Sequence, residues 1–155
     1  MEQAVSSNTQ QILPRQDKVL YLAASGAAAV LLLVGRLLQP SPGGVGTHEQ
    51  LGLPPCGFLY FTGIPCPGCG LTTSVAYAAH LHFYESIATQ PFGFVVFLLA
   101  TLSIPASVYL IYRRIPYAEL LNFRGKSFLT YLLLTLFLFS WFYKIAVMKG
   151  LFAGS

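Results

Sequence analysis

Residues Val19 to Leu38 read VLYLAASGAAAVLLLVGRLL. An apolar run of about twenty residues is the length that crosses a bilayer as a helix. A cleaved signal peptide is the competing reading, because an Ala-rich segment mimics a cleavage site. Val30 to Val34 stays strongly apolar beyond the alanines, so the run is read as an uncleaved anchor. Its Ala23, Gly26, Ala27, Ala28 and Ala29 are small enough to let another helix approach closely.

Two more runs of this kind lie downstream. Phe92 to Tyr112 is closed by Arg113 and Arg114, and Pro105 inside it predicts a kink. Ser127 to Val147 is dense in Leu and Phe, and its Trp141, Tyr143 and Lys144 have the composition of an interfacial anchor. The 155 residues are 55% hydrophobic and 9% charged, with a mean hydropathy of +0.63. A soluble domain carries about 25% charged residues, so these charges cannot cover a globular surface. The expected fold is therefore an all-α membrane protein with three transmembrane helices, at about 19–38, 92–112 and 127–147. Residues 1–18 form a polar tail and 19–155 a single membrane domain. Residues 51–90 hold a cysteine motif and an interfacial or re-entrant helix.

The net charge of +4 does not point to nucleic acid, because the basic residues sit at the ends of apolar spans. Arg15 and Lys18 precede the first span, and Arg113, Arg114, Arg124 and Lys126 follow the second. Gln39 to Pro91 holds no Lys or Arg. The positive-inside rule then puts the N-terminus and the basic loop in the cytoplasm of a bacterial inner membrane. The cysteine motif and the C-terminus fall on the extracytoplasmic side. Lys144 and Lys149 are a mild counter-signal, and Arg36 can snorkel.

All three cysteines lie in Cys56 to Thr73, CGFLYFTGIPCPGCGLTT. Pro67-Gly68 suits the centre of a type II turn, with φ > 0 at Gly68, which folds Cys66 towards Cys69. Gly70 then releases the chain into a helix expected over Leu71 to Ile87. The hydroxyls of Thr72, Thr73 and Ser74 would satisfy the free N–H groups of its first turn.

The order Cys56, Pro65-Cys66-Pro67-Gly68-Cys69-Gly70-Leu71-Thr72, a helix, then Gln90-Pro91 before an apolar span resembles an uncharacterised family of small bacterial membrane proteins. That family is described only as a domain of unknown function, so the resemblance brings no activity. It covers Leu51 to Ala100. The family often has Arg where this chain has Thr73, and Gly and an acidic residue where it has Leu81 and His82. Roles needing that Arg or that acid are not carried over.

Three chemistries fit the cysteines. A Cys66–Cys69 disulfide would staple the turn on an oxidising side of the membrane, leaving Cys56 over. Cys56, Cys66 and Cys69 with His80 or His82 would make a Cys3His set for zinc. A thiol-redox pair needs a thiolate at a helix N-terminus, but no βαβ pattern surrounds the motif. Glu49 and Glu85 are too isolated to act as a catalytic carboxylate pair. The first expectation is a non-catalytic accessory or interaction subunit. Its rigid CPGC knuckle would dock a membrane-protein partner or another copy of the chain.

Overall fold

The computed structural model describes residues 13–121 and 125–150. Most of the expected polar tail and Arg124 of the basic loop lie outside the described residues. The chain runs as α1 (Arg15–Leu37), a 3₁₀ turn (Thr47–Leu51), α2 (Gly57–Thr62) and α3 (Leu71–Ala79). It continues as α4 (Phe83–Thr89), α5 (Pro91–Arg113), α6 (Tyr117–Leu121) and α7 (Lys126–Met148). No strand occurs among the described residues.

Helices α1, α5 and α7 are long and apolar enough to cross a membrane. Each has 23 residues, and at about 1.5 Å per residue that exceeds the roughly 30 Å of a hydrocarbon core. Helices α5 and α7 overrun their apolar runs at both ends, and α1 at its N-terminal end, because helical hydrogen bonding does not stop where hydropathy does. Pro14 precedes α1, where its missing N–H costs nothing. Helix α5 continues through Pro105, whose missing N–H leaves the Thr101 carbonyl without its helical donor.

Helices α1 and α5 form the main pair and run antiparallel. At one end the Tyr21 hydroxyl donates to the Ile115 carbonyl (3.0 Å), and the Tyr117 N–H donates to the Asp17 carboxylate (3.0 Å). At the other end Gly35 sits against Val75 of α3. The small-residue face of α1 is only partly used within the chain. Ala28 is buried, while Gly26 faces open space.

Helix α7 joins through its last turns. The Phe92 N–H donates to Ser140 Oγ (3.1 Å), and Phe92 and Phe137 meet edge to face at 5.1 Å. The Tyr143 hydroxyl donates to the Ala88 carbonyl (3.1 Å), and Trp141 Nε1 to the Pro65 carbonyl (2.8 Å). Lys144 is buried as well. The expected interfacial anchor is thus turned inward. Its polar tips satisfy carbonyls that the loop before α3 and the α4–α5 corner would otherwise bury unpaired.

The expected single helix from Leu71 to Ile87 is broken. The His82 N–H reaches the Tyr77 carbonyl (2.9 Å) and the Leu81 N–H the Ala78 carbonyl (3.0 Å). This is the Schellman pattern that closes a helix, and it puts Leu81 at φ +67°. The break returns α4 against α3, where polar contacts outweigh a continued helix. Ser74 Oγ lies 2.9 Å from the carbonyls of Ser86 and Gln90 and 2.9 Å from Ser86 Oγ. Ser86 Oγ donates to the Ser74 carbonyl at 2.8 Å. Gly93 lets α5 pass close, since a Cβ there would fall 2.6 Å from Ser74 Cβ.

Candidate thiol site

The cysteine turn forms as expected in outline and differs in detail. The Cys69 N–H donates to the Cys66 carbonyl (2.9 Å) and the Leu71 N–H to the Gly68 carbonyl (3.0 Å). Gly68 does not adopt positive φ, so the type II expectation fails; Gly70 does, at φ +88°. The first turn reverses the chain with Gly68 at an ordinary φ, and the left-handed step falls at Gly70, inside the second turn, where the chain enters α3. There the Gly70 carbonyl accepts the Ser74 N–H (2.8 Å).

The hydroxyls of the first turn do not cap α3. Thr73 Oγ1 pairs with Thr47 Oγ1 at 2.8 Å, tying α3 to the 3₁₀ turn, while Ser74 ties it to α4 and α5. The carbonyls flanking Cys66 are held from a distance. Gln90 Nε2 donates to the Pro67 carbonyl (2.8 Å), and Trp141 Nε1 takes that of Pro65. Gln90 is fully buried, and its Oε1 has no partner among the described residues. Gln90-Pro91 therefore serves two purposes: Pro91 opens α5 at its first position, and Gln90 clamps the cysteine turn.

Cys56 stands just before α2, on the other side of the loop. The structure brings its sulfur to those of Cys66 and Cys69, and all three lie within 4.8 Å of one another. Cys66 Sγ and Cys69 Sγ are 3.4 Å apart and the thiols are free. Cys69 is buried, the other two half-buried. They line a cavity of about 460 Å³ together with His48, Glu49, Tyr60 and Thr72. The backbone N–H of Leu59 holds the Cys56 thiol below its ordinary range. Burial pushes Cys69 up to about 12, and the thiols of Cys56 and Cys66 add to this. One thiol of the cluster is thus poised to ionise early and one late.

His80 and His82 are not part of the cluster. The His80 ring sits 2.9 Å from the Ala76 carbonyl, and His82 faces Glu85 at 3.8 Å on the exposed side. The helix break at Leu81 puts both histidines at the closing turn of α3, away from the sulfurs at its start. His48, Glu49 and Lys144 were missed as neighbours of the site. No spacing rule links them to Cys66 and Cys69, because they arrive from other segments.

The donor set fits a tetrahedral metal. Zinc–sulfur bonds of about 2.3 Å place thiolates about 3.8 Å apart. The observed sulfurs bracket this, with one pair at 3.4 Å and none beyond 4.8 Å. His48 lines the same cavity, though its ring is not among the groups gathered within 4.8 Å.

No curated protein and no solved structure matches the chain. The stretch 56–104, which holds the three cysteines, the helix break and the Gln90-Pro91 junction, matches the family described as Protein of unknown function (DUF2752).

Proposed function

We propose that this small multi-pass membrane protein uses Cys56, Cys66 and Cys69 to bind a thiophilic metal ion. Zinc is the ion that the donor set suits best. The observation that supports the reading is the meeting of three sulfurs from two separate segments within 4.8 Å. A disulfide needs only two of them and gives no reason for Cys56 to turn in. Thiolates are soft ligands that select zinc or copper(I) over harder ions. The bound ion would act as a staple for the loop between α1 and α5, which makes the role structural and non-catalytic. The stapled knuckle would present Phe58, Tyr60 and Phe61 of α2, all exposed, to lipid or to a protein partner. Arg113 and Arg114 end α5 at the far end of the bundle from the cysteines. That distribution supports a cytoplasmic N-terminus and an extracytoplasmic site in a bacterial inner membrane.

A second reading is favoured by the 3.4 Å between Cys66 Sγ and Cys69 Sγ. Those two thiols could join as a disulfide on an oxidising side. One S–S bond would form, and two protons and two electrons would pass to a disulfide-carrying oxidant, itself reduced to the dithiol. The test is metal analysis and intact mass of the unreduced protein in detergent. One metal per chain, held more weakly in each of Cys56→Ser, Cys66→Ser and Cys69→Ser, supports the metal site. A mass lower by two hydrogens without metal supports the disulfide. Three free thiols without metal overturn both.

A further inference from the structure

Lys144 is a buried charge beside the cysteine site to which the metal reading gives no role. It belongs to α7, yet only 3% of it is exposed. An ionisable group in a membrane-crossing helix is costly and marks function by default. Its Nζ donates to the Gly44 carbonyl (2.9 Å) and the Thr89 carbonyl (3.2 Å). Carbonyl dipoles solvate an ammonium but do not neutralise it. Among the described residues Lys144 has no carboxylate partner; Glu85, which lines a cavity with it, pairs with His82. An ammonium has three donors, and two are used. Nζ also lies 3.0 Å from where a Cβ on Gly70 would be, so the charge rests against the residue that follows Cys69.

A divalent ion held by three thiolates carries one net negative charge. Away from water such a charge needs a counter-ion close by. We infer that Lys144 is the counter-cation of the cysteine centre, and that the centre holds a divalent ion as an anionic tris-thiolate complex. This rests on the metal reading above. Lys144 enters from α7, outside the segment that matches the family model. In this role it is a positioning and charge-balancing residue, without contact to the ion.

The test is titration of the full chain in detergent with Cd²⁺, read as thiolate-to-metal charge-transfer absorption against a competing chelator. Lys144→Gln keeps an N–H donor for the Gly44 or Thr89 carbonyl and removes the charge. It should weaken Cd²⁺ binding by about 10- to 100-fold, the usual cost of an outer-shell partner. Lys144→Arg should bind like the natural chain. In a Cys56→Ser background the complex is neutral without Lys144, so Lys144→Gln should then have little effect. Equal losses in both backgrounds, or no loss in either, overturn the inference while leaving the metal site standing. If the natural chain binds no Cd²⁺, the metal site itself fails and this inference falls with it. Should Lys144→Gln not fold, the ¹⁵Nζ resonance of Lys144 in the natural chain decides. It should remain an ammonium and shift when Cd²⁺ binds; an unmoved signal or a neutral amine refutes the pairing.

Discussion

Gly70→Ala tests the packing of the cysteine turn most directly. Gly70 sits at φ +88°, a left-handed angle that costs an L-residue about 1–2 kcal/mol. The added methyl would also lie 2.7 Å from the Gly44 carbonyl oxygen and 3.0 Å from Lys144 Nζ. The first neighbour is backbone and is itself held by Lys144, so it cannot yield without breaking the 2.9 Å bond between them. Overpacking of this kind costs about 1–3 kcal/mol. Together the loss is about 2–5 kcal/mol. Gly68→Ala is the control. Gly68 has ordinary φ, and its nearest foreign atom would be Cys66 Sγ at 4.0 Å. That change should cost under about 1 kcal/mol. Thermal unfolding in one detergent, followed by circular dichroism, compares the two. A large drop in Tm for Gly70→Ala beside a small one for Gly68→Ala is expected. Equal shifts would refute the assignment of the strained position to Gly70.

Two further outcomes follow from the backbone and the thiols. Leu81 is a 75% exposed residue at φ +67°, closing α3 in left-handed geometry; Leu81→Gly should raise stability by up to about 1 kcal/mol, and a lower Tm would count against the Schellman closure. In reduced, metal-free protein, alkylation consumes thiolates, so a lowered pKa makes a thiol react at lower pH and a raised one delays it. Mass mapping against rising pH should find Cys56 modified early and Cys69 last, near its value of about 12; Cys69 reacting together with Cys56 would contradict the burial of its sulfur.

Much of the architecture was legible in the chain itself. Hydropathy over about twenty residues is a local property, so Val19–Leu38, Phe92–Tyr112 and Ser127–Val147 foretold α1, α5 and α7. Turn chemistry is local too, and the Pro-Gly pair between Cys66 and Cys69 made the reversal predictable, though not which glycine would carry the positive φ. The break after Ala79 was not legible. Leu81 is a poor residue for a left-handed position, and the polar contacts that reward the break join Ser74 to Ser86 and Gln90.

The sequence by itself determined that the chain is helical, apolar enough to enter a membrane, and punctuated by one cysteine-rich turn, because each of these depends on neighbours along the chain. Tertiary structure alone decided what the turn meets. It brought Cys56 to Cys66 and Cys69, kept His80 and His82 away from them, and turned Trp141 and Lys144 inward against the Pro65 and Gly44 carbonyls. The physical reason is that buried carbonyls and thiols must find partners where water cannot reach. Those partners are supplied by whichever helix passes nearby, at sequence separations of 76 and 100 residues.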